Sequence, residues 1–161
     1  MSKKPMSWLL GLLIAGVAVA ALQKAAPLRG EWPPEEVADG VFVIHGPTSY
    51  PSPDNQGFMN NPAFIIGETG VVVVDPGSSV QVGEMLLARI ERLTDKPVLA
   101  VFNSHMHGDH WLANQAIRAK YPGVPIYGHE RVGPRIIAGA GTQWIEMLLT
   151  MTENATAGTE V

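Results

Sequence analysis

The chain has no cysteine among its 161 residues. That absence excludes a disulfide framework, a thiol nucleophile and any thiolate metal site, so a metal here has only His, Asp and Glu to hold it. It also excludes a lipid anchor on an N-terminal cysteine. Charge is scarce: Asp, Glu, Lys and Arg make up 16% of the residues, against 46% hydrophobic ones. That balance excludes a disordered polyelectrolyte over most of the length. The formal net charge of −4 and the pI near 5.7 count against a surface for a phosphate backbone, so no nucleic-acid partner is expected. Internal repeats are lacking, and the length suits one domain with a sizeable core.

What is there begins with an address. Lys3 and Lys4 precede an uncharged run of 15 residues from Trp8 to Leu22, within which Ala18-Val19-Ala20 offers the small residues a signal peptidase accepts. The pattern predicts export, to the periplasm or beyond, with residues 1–20 removed as a signal peptide. The run is shorter than the roughly 20 residues that span hydrocarbon. Left uncleaved it would act as a membrane anchor, the one membrane contact expected. Residues 21–36 read as a linker broken by Pro27, Gly30, Pro33 and Pro34, and residues 37–161 as the folded domain.

Within that domain, β-branched and aromatic runs predict strands over Val41–Ile44, Ala63–Glu68, Val71–Val74, Val98–Phe102 and Val124–Tyr127. The run of four valines has no polar face and suits a strand buried on both sides. Val82, Leu86, Ile90 and Leu93 recur at helical period and predict a helix from Ser79 to Leu93, with Ser78 and Gln81 at capping-box spacing. Further helices are expected from about His110 to Tyr121, and from His129 to about Met151 with a break near Gly139. The stretch from Gly46 to Pro62 is a long loop, and loops of that length are usually functional or disordered. The element order fixes an α/β (α+β) class with helices packed on a mixed sheet. The last ten residues are small and polar with no closing strand, so the domain is expected to be incomplete at its C-terminus.

His105-Met106-His107-Gly108-Asp109-His110 carries the chemistry: three of the chain's five histidines fall in this window. In an extended stretch leaving the Val98–Phe102 strand, residues 105, 107 and 109 project to one side. Gly108 allows a tight turn, and His110 then arrives from a different direction. Imidazole and carboxylate are the ligand types zinc accepts where thiolate is absent. A solvated polar loop that happens to be rich in histidine is the competing reading, but solubility does not require imidazoles crowded beside a buried strand.

This His-x-His-x-Asp-His pattern after an apolar strand resembles the metal motif of the metallo-β-lactamase superfamily. Val71-Val72-Val73-Val74-Asp75-Pro76-Gly77 is similar to that family's buried strand ending in Asp and Gly. The resemblance runs from about Val37 onward and implies the N-terminal half of a four-layer αββα sandwich. It implies that His105 and His107 hold a first metal, that Asp109 and His110 hold a second, and that Asp75 supports the metal loop from behind. The family's remaining ligands lie several tens of residues further on, and nothing after His110 supplies them. His45 and His129 read as surface or structural residues, and Trp111 as core packing.

The implied cofactor is Zn2+, as one or two ions, with iron possible. A catalytic zinc keeps a position for water and lowers its pKa to about 7. The expected function is therefore metal-dependent hydrolysis of an ester, thioester or amide-like bond in a small-molecule substrate, with Asp109 orienting the attacking hydroxide. The Gly46–Pro62 loop and the stretch from Gly133 to Glu153 are more similar to periplasmic hydrolases associated with sulfur oxidation or quinoprotein systems. Two alternatives stand beside this: an iron-dependent persulfide oxygenase on the same scaffold, and a truncated, non-catalytic metal-binding chain.

Overall fold

Runs of valine, isoleucine and phenylalanine at period two build a sheet, and the turns between them are set by Gly, Asp and Pro. A computed structural model describes residues 26–156 of the chain. Its strands are β1 (Pro34–Ala38), β2 (Val41–Ile44), β3 (Ala63–Ile66), β4 (Val71–Val74), β5 (Val98–Asn103) and β6 (Ile126–Gly128). They lie side by side in chain order. β1 to β4 pair antiparallel, whereas β4, β5 and β6 run parallel. The parallel pairs are reached through crossover helices, α1 (Val80–Leu93) and α2 (Asn114–Lys120), as parallel pairing requires. The short helix α3 (Val132–Arg135) then runs through a wide turn at Ile136–Ala140 into α4 (Gly141–Met151). The kink falls at Gly139, whose φ of 117° lies in the left-handed region. The expected signal segment lies outside the described residues.

One face of the sheet is the core. Phe64, Val71, Val73 and Val101 are fully buried there with Val82, Leu86, Ile90 and Ile117 of the two crossover helices. The α1 stripe works because residues three and four apart lie on one helix face. The other face is open: Ile65, Leu99, Phe102 and Tyr127 are 41–50% exposed, and the rings of Phe102 and Tyr127 stack at 5.0 Å. The valine run is therefore buried on one side only, with Val72 and Val74 half-exposed.

Several expected boundaries move, for identifiable reasons. The sheet begins at Pro34, inside the expected linker, and the segment before it is held down. Gln56 Nε2 donates to the carbonyls of Ala26 and Pro27, and Trp32 packs edge-to-face on Phe58 at 5.0 Å. The helix cap is Ser79, whose Oγ accepts from the Val82 N–H, and there is no capping box. Gln81 instead reaches outward to the carbonyls of Ala26 and Ala155. The Gly46–Pro62 loop is built around a fully buried Phe58, with Asn55 Oδ1 accepting from the N–H groups of Ser52 and Gly57.

The helix expected from His110 starts only at Asn114. Asn103 Nδ2 donates to the His110 carbonyl, and the Ala113 N–H donates to Gly77. Both groups are thereby withdrawn from the helical ladder that would have begun at His110.

Candidate metal centre

The site forms where β4 and β5 end side by side. The Asp75 N–H donates to the Phe102 carbonyl at 2.9 Å, and Asn60 Nδ2 donates to the Asp75 carbonyl at 2.8 Å. Asp75 itself sits at a φ of 48°, an uncommon conformation for a residue with a side chain. Gly77 follows at a φ of 132°, and a Cβ there would lie 2.3 Å from Val82. The Asp-Pro-Gly turn is thus pinned between the strand ends and α1, and it aims the Asp75 carboxylate at the next loop.

That loop is the histidine motif. Asp75 Oδ1 accepts from the Ser104 N–H at 2.8 Å, and Oδ2 accepts from the Ser104 hydroxyl at 2.6 Å. Ser104 Oγ lies 2.9 Å from His105 Nδ1. The His105 ring centroid is 4.6 Å from that of His107 and 4.1 Å from that of His110. His110 stands between two carboxylates, with Nδ1 2.9 Å from Asp75 Oδ2 and Nε2 3.1 Å from Asp109 Oδ2.

The structure therefore brings His105, His107, Asp109, His110 and Asp75 together. It leaves the other two histidines out. His45 pairs with Glu35 at the surface, and His129 Nδ1 accepts from the Arg131 N–H on an exposed turn. Asp109 reaches the cluster by a different route from the one expected. The strand ends at Asn103, a bend at His105-Met106 follows, and Asp109 is carried in by a 3₁₀ turn over Gly108–His110. Gly108 has no left-handed backbone to explain it. It is small because a Cβ there would lie 2.9 Å from the Trp144 side chain and from Leu112.

Electrostatics separate the imidazoles. Burial alone would push the His110 pKa down, but contact with Asp109 and Asp75 outweighs it and raises the value to about 9. His105 is pushed below its ordinary value, by burial first and then by the neighbouring His110 and His107. For Asp75, burial pulls upward, but His110 and the two Ser104 donors prevail and hold the carboxyl below its usual range.

Among the described residues, no three His, Asp or Glu side chains already surround one point as a finished metal cage. The donor set nonetheless fits a divalent cation. It holds three imidazoles and a carboxylate, and Asp109 Oδ1 is buried with no hydrogen-bond partner among the described residues. Buried polar atoms left in that condition are expensive unless a ligand satisfies them. Asp109 also lines a cleft of about 470 Å³ with Pro47, Thr48, Ser49, Tyr50 and Met59. The long loop therefore stands over the metal motif.

Two participants escaped the sequence reading. Trp144 of α4 lies 5.1 Å, ring to ring, from His107 and forms a wall of the site. Nothing in its helical surroundings marks it. Ser104 joins Asp75 to His105, and its place at the strand end beside the first histidine was a usable signal. Trp111 is core, as expected: it is buried with Leu112 and Leu148, and its Nε1 donates to the Met106 carbonyl.

The family model of the metallo-beta-lactamase superfamily matches residues 56–146. A probable metallo-hydrolase of Streptococcus pyogenes is 27% identical over 71 residues, covering 44% of this chain and 29% of that protein. A hydroxyacylglutathione hydrolase of Microcystis aeruginosa is 41% identical over 64 residues, covering 40% of this chain and 23% of that protein. Among solved structures, a metallo-beta-lactamase from Pontibacter korlensis superposes with a TM-score of 0.54 at 19% identity, covering 70% of this chain and 49% of that one. The chain thus matches less than a third of these curated relatives' length, and about half of the solved enzyme. The likeness to that structure is one of fold: a mixed α/β sheet with helices on one face.

Proposed function

The chain belongs to the metallo-β-lactamase superfamily, and on that footing we propose that it supplies the first metal-binding limb of a divalent-metal hydrolase. The observation that carries the reading is the convergence of the His105, His107 and His110 rings with the Asp109 carboxylate at one end of the sheet. In this reading His105 and His107 hold one ion, and Asp109 and His110 hold a second. Zinc suits the nitrogen and oxygen donors best. When bound, such an ion supplies Lewis acidity and a nucleophile at neutral pH.

The chain's own groups do the rest. Asp75 stands behind His110 and Ser104 and keeps the loop in register with β4. Asp109 Oδ1, which has no hydrogen-bond partner among the described residues, is the group that orients an attacking water. The cleft beside it suits a small molecule. Tyr50 and Met59 give it apolar contact, and Thr48 and Ser49 give it hydroxyls. An ester or thioester is the substrate class proposed, in line with the hydrolase names of the relatives. Further ligands come from outside the described residues, because each ion has at most two side chains here and a catalytic zinc usually has three.

The experiment is to measure metal content and hydrolysis together on the native gene product. Ester, thioester and β-lactam panels are run before chelation, after chelation, and after zinc is restored. Activity lost with the metal and regained with zinc supports the reading. Activity that survives complete metal removal, or that returns only with iron and oxygen, overturns it.

A further inference from the structure

Ser104 Oγ carries a single hydrogen and makes two contacts. One is 2.6 Å to Asp75 Oδ2 and the other is 2.9 Å to His105 Nδ1. Asp75 accepts twice from Ser104, the N–H on Oδ1 and the hydroxyl on Oδ2, and His110 Nδ1 lies 2.9 Å from Oδ2 as an ion-pair contact. A carboxylate surrounded in this way is ionised and can only accept. The hydroxyl hydrogen therefore goes to Asp75. Toward His105 the same oxygen has only lone pairs to offer, so His105 Nδ1 must bear the hydrogen and donate it. That leaves Nε2 as the only lone-pair donor of the His105 ring.

We propose that Ser104 is a positioning residue that relays the Asp75 carboxylate to His105 and locks that imidazole in its Nδ1–H tautomer, ready to bind a metal through Nε2. His110 meets the same carboxylate directly. One acidic side chain thus addresses two histidines, one by contact and one through a hydroxyl. The relay sets up the two proposed metal positions together. Groups that orient a metal-binding histidine through its second nitrogen typically contribute 10–100-fold in affinity. The metal part of this inference rests on the function proposed above, while the tautomer part stands on hydrogen bonds within the chain.

The test compares Ser104→Ala and Ser104→Thr with the unaltered protein, using 15N-labelled histidine. In the metal-free protein, long-range 1H–15N spectra report which ring nitrogen of each histidine carries hydrogen. The expected result is a single Nδ1–H form for His105 in the unaltered and Thr proteins, and a tautomer mixture in the Ala protein, with the His110 signals little changed. Zinc affinity, read by competition with a chromophoric chelator, is expected to fall about 10–100-fold in Ser104→Ala and to recover in Ser104→Thr. An unchanged His105 tautomer in Ser104→Ala overturns the relay. So does equal disturbance of His105 and His110, which would mark a general loop collapse, or failure of the Thr protein to recover. If the unaltered protein binds no zinc but His105 shows the single tautomer, the proposed function fails and the relay stands.

Discussion

His110 is the residue with the largest electrical stake in the site. Its pKa of about 9 in the folded chain exceeds the ordinary 6.5, so the folded state binds a proton more tightly than the unfolded one. The stability this contributes is fully present below about pH 6.5 and is lost as pH rises through about 9. An ion binding the His110 ring must displace that proton, so zinc uptake at pH 7.5 is expected to release about one proton from His110, and affinity should climb with pH until about 9. An indicator dye in weak buffer reads the release. Asp75→Asn removes one of the two carboxylates that raise the value and should reduce the release at pH 7.5, whereas an unchanged release would show that Asp75 does not hold the proton there. Residue identity was the most legible level of the sequence. Three imidazoles and a carboxylate in six positions announced themselves by type and spacing, and the structure gathers all four. Ser104 was less visible, because a serine is common at strand ends and only the direction of its hydroxyl gives it meaning.

The elements were legible where a period could be counted and obscure where a side chain overrode the backbone. α1 and the valine strand fall where their apolar spacing put them. The start of α2 was misplaced because Asn103, a side chain from another element, takes the His110 carbonyl. Asn103→Ala is expected to cost about 1–3 kcal/mol, since it removes the partner of that half-buried carbonyl and unpairs Asn114. Urea unfolding measures it, and a change below about 0.5 kcal/mol would show that the bond does not hold the loop. The 3₁₀ turn was likewise hidden, since it depends on Trp144 lying against Gly108 from far along the chain. Gly108→Ala should destabilise by about 1–3 kcal/mol through that crowding. The penalty should shrink in a Trp144→Ala background, and a double-mutant cycle with no coupling would separate the two residues.

At the scale of the whole molecule, a two-layer sheet has one face covered and one open. Val71, Val73 and Val101 lie under α1 and α2, while Phe102 and Tyr127 stack on the far side at 45% and 50% exposure. Open apolar sheet surface of this kind marks a contact face. The chain as it stands is therefore expected to bind a hydrophobic dye and to self-associate at micromolar concentration, and a Phe102→Ser, Tyr127→Ser double variant to do both less. Sedimentation that shows a dye-silent monomer would contradict the exposure seen here. The element order predicted the α/β class and the family resemblance implied half of a layered sandwich, but neither could reveal which face lay bare, because four consecutive valines look alike from both sides. Export remains a reading of residues 1–20: N-terminal sequencing of secreted material should find Ala21 first, and a mature protein that begins at Met1 or Ser2 in the membrane fraction would make the segment an anchor. If the loop after β5 is a metal limb, chelator-competition titration of single alanine variants will show it. His105→Ala and His107→Ala should each lose zinc affinity by roughly tenfold or more, at least the loss typical of removing a group that only orients a ligand, while His45→Ala and His129→Ala should match the unaltered chain. A loss in His129→Ala as large as that in His107→Ala would contradict the account.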